Sequence, residues 1–448
     1  MIPFDGSGPV GWATAAGVGM LLGWLLERVV GGWLADCERE WGAMAVPAGP
    51  DAATARGTRG PTHAIAVAFA LASVALWWWE VRVRGLLPVG VDGPVGGAAW
   101  VDACRWCAHV ALLWLLAAAT WIDFRFRVIP DWITTRGFLA GLAAVWALPG
   151  ILLPVAALQG RQFAAAVEVP DVLGWAGPLE ATLRATSPGS PWSLAAAAGL
   201  FLVWWWVATG PADRFADGVE ADGIDSDGGG TEGETRTPSV VTEGPAAAPG
   251  ASDAPPRVDA ARFAVLAVGL VGVSLAWWMG GTRFAALESA LAGAVVAGGL
   301  VWATRAGGSL ALGREAMGLG DVTLMAMAGA WLGWQACVLA CFLGVLIGLV
   351  HGVWHMAGGR GSELPFGPSL CAGVGLVVAG WRTAWSLTGE SFAEPGRMAA
   401  VLLAVVIGTA VSLFVWSRLP DGARRLVLLA TLLLLALLVV WANVGGGG

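Results

Sequence analysis

The sequence predicts an all-α integral membrane protein, a polytopic helical bundle of about twelve transmembrane segments. Three observations carry that expectation. Of the 448 residues, 57% are hydrophobic and only 13% charged, against roughly 25% charged in soluble domains, and the mean hydropathy is +0.71. The apolar residues fall in runs of the length a bilayer demands, about 20 residues of helix. The arginines gather in alternate loops between those runs. Lysine and tyrosine are both absent, a bias of composition with no mechanistic content.

Taken in order, the first run extends from about Val10 to Val30 and ends in Glu27-Arg28. No basic leader with a small-residue cleavage site precedes it, so a cleaved signal peptide is not expected. A polar loop at 35–62 holds Arg39, Arg56 and Arg59, and further runs follow at 63–81, 102–122 and 133–156. A loop with Pro170, Pro178 and Pro191 leads to a run at 192–209. Residues 211–259 then hold eleven acids and three arginines, so this stretch carries the whole negative balance of a chain whose net charge is −7. Rich in Gly, Asp, Pro and Ala, it cannot bury enough apolar surface to fold and reads as a disordered acidic linker.

Apolar runs resume at 261–280 and 285–304. The polar hinge 305–320 opens on a short run at 322–334, followed by 336–357, 366–385, 398–417 and 425–443. The expected organisation is therefore 1–156, N-terminal membrane helices; 157–283, an insert with two helices and the linker; 284–385, a membrane core; and 386–448, two further helices. With the loop 35–62 placed inside, seventeen arginines fall on the inner side and seven on the outer, as the positive-inside rule requires.

That topology brings two carboxylates to the same inner face. One is Asp321, in Met317-Gly318-Leu319-Gly320-Asp321 at the lip of an apolar run. The other is Asp123, in Thr120-Trp-Ile-Asp-Phe-Arg-Phe-Arg-Val-Ile-Pro-Asp131, where Pro130 prevents smooth helical continuation. An ionisable residue at the edge of hydrocarbon is a functional hypothesis by default, and glycines allow a sharp turn or a close approach. Two carboxylates in a partly dry site share one proton, so one can donate while the other activates water. The plainer alternative makes both ordinary helix-end acids, with Asp321 capping a helix that starts at Val322.

These stretches resemble the type IV prepilin peptidases, the bacterial members of the Gly-x-Gly-Asp membrane aspartic peptidases. The first motif of that family appears as Ile122-Asp123 with Ile129-Pro130-Asp131, and the second as Gly318-Leu319-Gly320-Asp321 running into Gly329-Ala330-Trp331-Leu332-Gly333-Trp334. A third appears as Leu364-Pro365-Phe366-Gly367-Pro368. The resemblance covers roughly 10–30, 100–156 and 284–380; in the first of these Gly23 stands where the family has Asn. It implies that Asp123 and Asp321 are the catalytic pair, that Asp131 positions rather than reacts, and that Pro365–Pro368 lines the site. It further implies a multi-pass protein of the inner membrane, cutting prepilins or pseudopilins of type IV pilus or type II secretion systems at its cytoplasmic face. The partners are then those substrates and membrane lipid, with no nucleic acid.

Departures from the family bear on cofactors. Bifunctional members carry two Cys-x-x-Cys pairs in the first cytoplasmic loop, whereas this loop has only Cys37, too few thiolates for a four-ligand zinc site. Neither zinc nor S-adenosylmethionine is expected, and N-methyltransferase activity is not expected either. Cys104-Arg-Trp-Cys107 has metal-knuckle spacing but no second pair beside it, and His351 with His355 share a helix face deep in an apolar run; both read as packing, so no metal site is expected. Thr323 replaces the basic residue usual two positions after the second Asp. Trp77-Trp78-Trp79 and Trp204-Trp205-Trp206 read as interfacial belts. Two rival functions remain: a presenilin or signal-peptide-peptidase-like protease, whose Pro-Ala-Leu motif is not matched, and a non-catalytic transporter or assembly scaffold, which the bland spans disfavour.

Overall fold

In a computed structural model, residues 9–41, 64–87, 99–156, 168–170, 189–209, 260–312, 317–357 and 365–392 are described, with isolated positions between 400 and 418. Ten helices follow one another among them: α1 (Pro9–Trp41), α2 (Ala64–Trp77), α3 (Ala99–Phe126), α4 (Asp131–Ala147), α5 (Pro191–Thr209), α6 (Ala260–Met279), α7 (Gly281–Leu312), α8 (Leu319–Leu332), α9 (Trp334–Ala357) and α10 (Gly367–Phe392). Eight of them are long and apolar enough to cross a membrane. This is an all-α polytopic membrane protein. The acidic stretch 211–259, the run 425–443 and nearly all of 398–417 lie outside the described residues.

The bundle is organised on its shortest apolar helix. α8 has 14 residues, about 21 Å of rise, less than the ~30 Å hydrocarbon core. Every side chain from Asp321 to Leu332 is nevertheless buried, because α7 and α4 flank α8 and α3, α5, α9 and α10 also touch it. A helix apolar on all sides belongs in a core. Small residues let its neighbours close in. A Cβ on Gly329 would meet the Gly293 carbonyl of α7, so the α7 and α8 backbones touch. On the other flank Gly137 and Gly141 of α4 leave room for Met327 and Trp331, and the Trp331 indole N–H donates to the Gly137 carbonyl at 2.8 Å.

α1 packs on α2, and a Cβ on Gly23 would lie 2.5 Å from the Ala66 Cα. An asparagine in place of Gly23 has no room in this packing.

The run expected at 133–156 is helical only to Ala147. Pro149 and Gly150 end α4, a 3₁₀ turn follows at Pro149–Ile151, and the chain becomes extended. Strand β1 (Pro154–Ala156) pairs antiparallel with β2 (Glu168–Pro170), Val155 opposite Val169. This ribbon is a local clip and leaves the fold class unchanged; the Trp381 indole N–H donates to the Pro154 carbonyl at 2.6 Å.

The tryptophan runs are not simple belts. α2 continues into a π-helical turn at Trp78–Arg82, which re-aims the face that follows. Trp77 and Trp204 turn inward, Trp204 stacking on Phe138 with ring centroids 3.6 Å apart, while Trp78 and Trp206 stay exposed. The same turn buries Glu80, whose Oε1 lies 2.7 Å from Nδ1 of the buried His109. Close by, Asp102 accepts from Arg84 at 3.0 Å and Arg105 at 3.3 Å, and Arg105 donates to the Gly150 carbonyl at 2.9 Å. This polar cluster clamps α2, α3 and the Pro149 turn, and nothing in the spacing of the apolar runs announced it.

Candidate active site

Asp123 arrives on the last turn of α3. The helix ends there through Arg127, whose φ of 56° is left-handed and whose N–H donates to the Asp123 carbonyl at 2.8 Å. That is the backbone pattern of a helix C-cap, a place usually given to glycine. The chain then runs extended through Val128–Pro130 into α4. Pro130 is therefore the residue that admits α4, at a φ of −69°, and the stop itself is the turn at Arg127.

Asp321 sits in the first turn of α8, where the helix dipole favours an anion. It is not the cap: α8 starts at Leu319, and Gly318 takes the cap position with no side-chain hydrogen bond. The loop before it is pinned by Arg305 of α7, whose Nε donates to the Met317 carbonyl at 2.7 Å. Thr323 turns its hydroxyl back onto the Gly320 carbonyl at 3.1 Å.

The two carboxylates meet at the start of α10. Both are buried, Asp123 at 6% and Asp321 at 7% exposure. A Cβ added to Gly367 would lie 2.6 Å from Asp123 Oδ2 and 3.2 Å from Asp321 Oδ1, so the two side chains flank one small gap that the glycine keeps open. The Gly367 backbone amide also faces the Asp123 carboxylate, whose Oδ2 has no hydrogen-bond partner among the described residues. Ile129 roofs the same gap, since Cβ positions at Gly320 and Gly367 would each lie 3.0 Å from its side chain.

The structure thus gathers Asp123, Asp321, Gly320 and Gly367 and sets Pro130 beside them. Gly318 is exposed at the α8 cap, and Pro365 is half-buried two residues before Gly367. Asp131 is exposed in the first turn of α4 and faces Arg262 of α6. Cys371 lies one turn beyond Gly367, shares a hydrogen bond with Thr120 and sits within electrostatic reach of both carboxylates. Its i+4 spacing from Gly367 was the available signal.

Of the cysteines and histidines, Cys104 and Cys107 are free thiols, while the side chains of Cys37 and His355 lie outside the described residues. Among the described residues no three His, Cys, Asp or Glu side chains are grouped to hold a metal. Glu80 and His109 belong to another place: His109 is fourteen positions before Asp123 on α3, about 21 Å along the helix.

Fold and site define a multi-pass helical membrane protein with two buried carboxylates facing one gap at one end of the bundle. Residues 261–353, which include Asp321 and begin with α6, match the type IV leader peptidase family. The prepilin leader peptidase/N-methyltransferase of Stutzerimonas stutzeri is 41% identical over 101 residues, 22% of this chain and 33% of that protein. The protein of that name from Pseudomonas aeruginosa is 40% identical over 101 residues, with the same coverage. That of Neisseria gonorrhoeae is 39% identical over 98 residues, 22% of this chain and 32% of its own. The chain spans about a third of the length of the curated relatives it matches. The resemblance carried by the Gly318–Asp321 motif is therefore shown by sequence likeness well beyond the motif itself. No solved structure matches the chain.

Proposed function

We propose that this protein is a membrane aspartic endopeptidase that removes the leader peptide of prepilin- or pseudopilin-like substrates, with Asp123 and Asp321 as its catalytic pair. The observation that carries the reading is the meeting of the two carboxylates around Gly367. Two acids in one gap share a proton. The ionised one takes a proton from water as the water attacks the scissile carbonyl, and the other protonates the carbonyl oxygen. The first then passes the proton it took to the leaving nitrogen as the C–N bond breaks, while the second recovers a proton from the diol hydroxyl. The Gly367 amide holds the Asp123 carboxylate toward that water. The arginine asymmetry supports cleavage at the cytoplasmic face of the inner membrane.

The test is a cleavage assay with this protein in membranes. The substrate carries a short basic leader, a glycine and an apolar helix. Release of the leader after the glycine is expected, and an inert, well-inserted protein would refute the reading. Gly367→Ala puts a methyl into the gap between the carboxylates, and kcat should fall by on the order of a hundredfold with the protein's melting temperature little changed; an active Gly367→Ala enzyme would mean that the gap is not the reaction centre. Methyl transfer is not part of the proposal, since Cys37 is the single cysteine of the first loop. The mature substrate should leave with an unmodified N-terminus, and a methyl mass increment dependent on this protein would overturn that expectation.

A further inference from the structure

Ile129 is buried between the starts of α8 and α10. A Cβ on Gly320 would stand 3.0 Å from the Ile129 Cβ and 3.5 Å from its N and O. On the other side, a Cβ on Gly367 would stand 3.0 Å from the Ile129 Cδ1, at a point 2.6 Å from Asp123 Oδ2 and 3.2 Å from Asp321 Oδ1. Carbon atoms in ordinary contact are about 3.5–4.0 Å apart, so a single methyl group already overfills the space that these three side chains ring.

The roof is stiff as well as low. Ile129 precedes Pro130, and a residue before proline is confined to extended backbone. Its β branch restricts χ1. Upstream, the left-handed Arg127 sets the direction in which the chain leaves α3. Successive side chains of an extended segment point to opposite sides, so the exposed Val128 faces away from the gap and Ile129 faces into it.

We propose that Ile129 is a specificity-determining residue of the cleavage site, one that refuses any side chain on the substrate residue whose carbonyl is attacked. The inference rests on the peptidase reading above and adds to it the group that enforces glycine. A scissile carbonyl must come within reach of both acids, and its own Cα, one bond behind, then lies under Ile129. A Cβ there meets the Cδ1 methyl, which neither the backbone before Pro130 nor rotation about χ1 readily moves aside.

The test compares two substrates that differ only in glycine or alanine at the cleavage position, cut by the full chain in membranes. The quantity read is the ratio of their kcat/KM values. For the wild-type protein it should favour glycine by on the order of a hundredfold, the scale on which a pocket discriminates one methyl group. Ile129→Val removes the Cδ1 beside Gly367 and keeps the branch against Gly320; it should lower the ratio about tenfold. Ile129→Ala opens the roof and should bring the ratio to within about threefold of unity. A loss common to both substrates cancels in the ratio, so a merely structural role for Ile129 would not move it. Val128→Ala should keep the wild-type ratio. An unchanged ratio in active Ile129→Val and Ile129→Ala proteins would overturn the inference and leave the peptidase reading standing. So would a wild-type protein that cuts both substrates equally. Loss of all cleavage in both well-inserted variants would overturn it too, making Ile129 a support for the carboxylates. A wild-type protein that cuts neither substrate would sink the peptidase reading itself, and this inference with it.

Discussion

Asp321→Asn and Asp123→Asn should each lower leader-peptide cleavage by about a thousandfold or more, while the protein inserts in the membrane at its normal level. The two acids are expected to work as one unit, because an amide cannot share a proton as a carboxyl does. The double variant should consequently be no worse than either single one, the non-additive behaviour of residues that act together. The substitution is nearly isosteric and both side chains reach the same gap beside Gly367, so the packing around α8 gives no reason for a stability loss. The measurement is conversion of precursor to mature substrate in membranes matched for enzyme content. Residual activity of a few per cent in Asp321→Asn would exclude the proposed mechanism. A double variant much slower than both singles would mean that the two carboxylates act separately.

That Asp123 and Asp321 come to the same end of the bundle was legible because apolar run length constrains where a helix emerges, whatever its packing. Gly320 and Gly367 were legible as motif members, although only the structure shows that Gly367 keeps the space between the acids open. Much else depended on contacts between distant residues. The run at 322–334 is short for a span, yet it is the hub, since hydropathy measures the run and not how many helices surround it. Nothing in Trp77-Trp78-Trp79-Glu80 marks a π-helical turn, so the burial of Glu80 against His109 could not be read from spacing. Arg127 ends α3 in a left-handed conformation that its residue type seldom adopts, which is why Pro130 looked like the terminator. Pro149 and Gly150 stand inside 133–156 as helix breakers, a signal that run length alone passes over.

Gly329→Val should be the most destabilising single change in the bundle, for reasons of backbone contact alone. A Cβ at Gly329 would lie 2.6 Å from the Ala294 N and would also strike the carbonyl of Gly293. From the α7 side, a Cβ at Gly293 would strike the Gly329 carbonyl and stand 2.8 Å from the carbonyl carbon of Gly333. A flexible side chain could move out of the way, but these neighbours are main chain of α7, of α8 and of the Gly333 turn that ends α8, and can yield only by parting α7 from α8. Close approach through small residues is the principal way helices bind one another where lipid is as apolar as leucine. Overpacking at such a point costs about 3 kcal/mol or more, and the displaced α8 would carry Asp321 away from Gly367. Gly329→Val and Gly293→Val should therefore lower the melting temperature of the detergent-solubilised protein sharply and abolish cleavage with it. Gly299→Ala, six residues beyond Gly293 along α7 with nothing within 4 Å of its Cβ, should alter neither. If Gly329→Val melted no lower than Gly299→Ala, α7 and α8 would not touch as described, and the position of Asp321 would have to be maintained by its other neighbours.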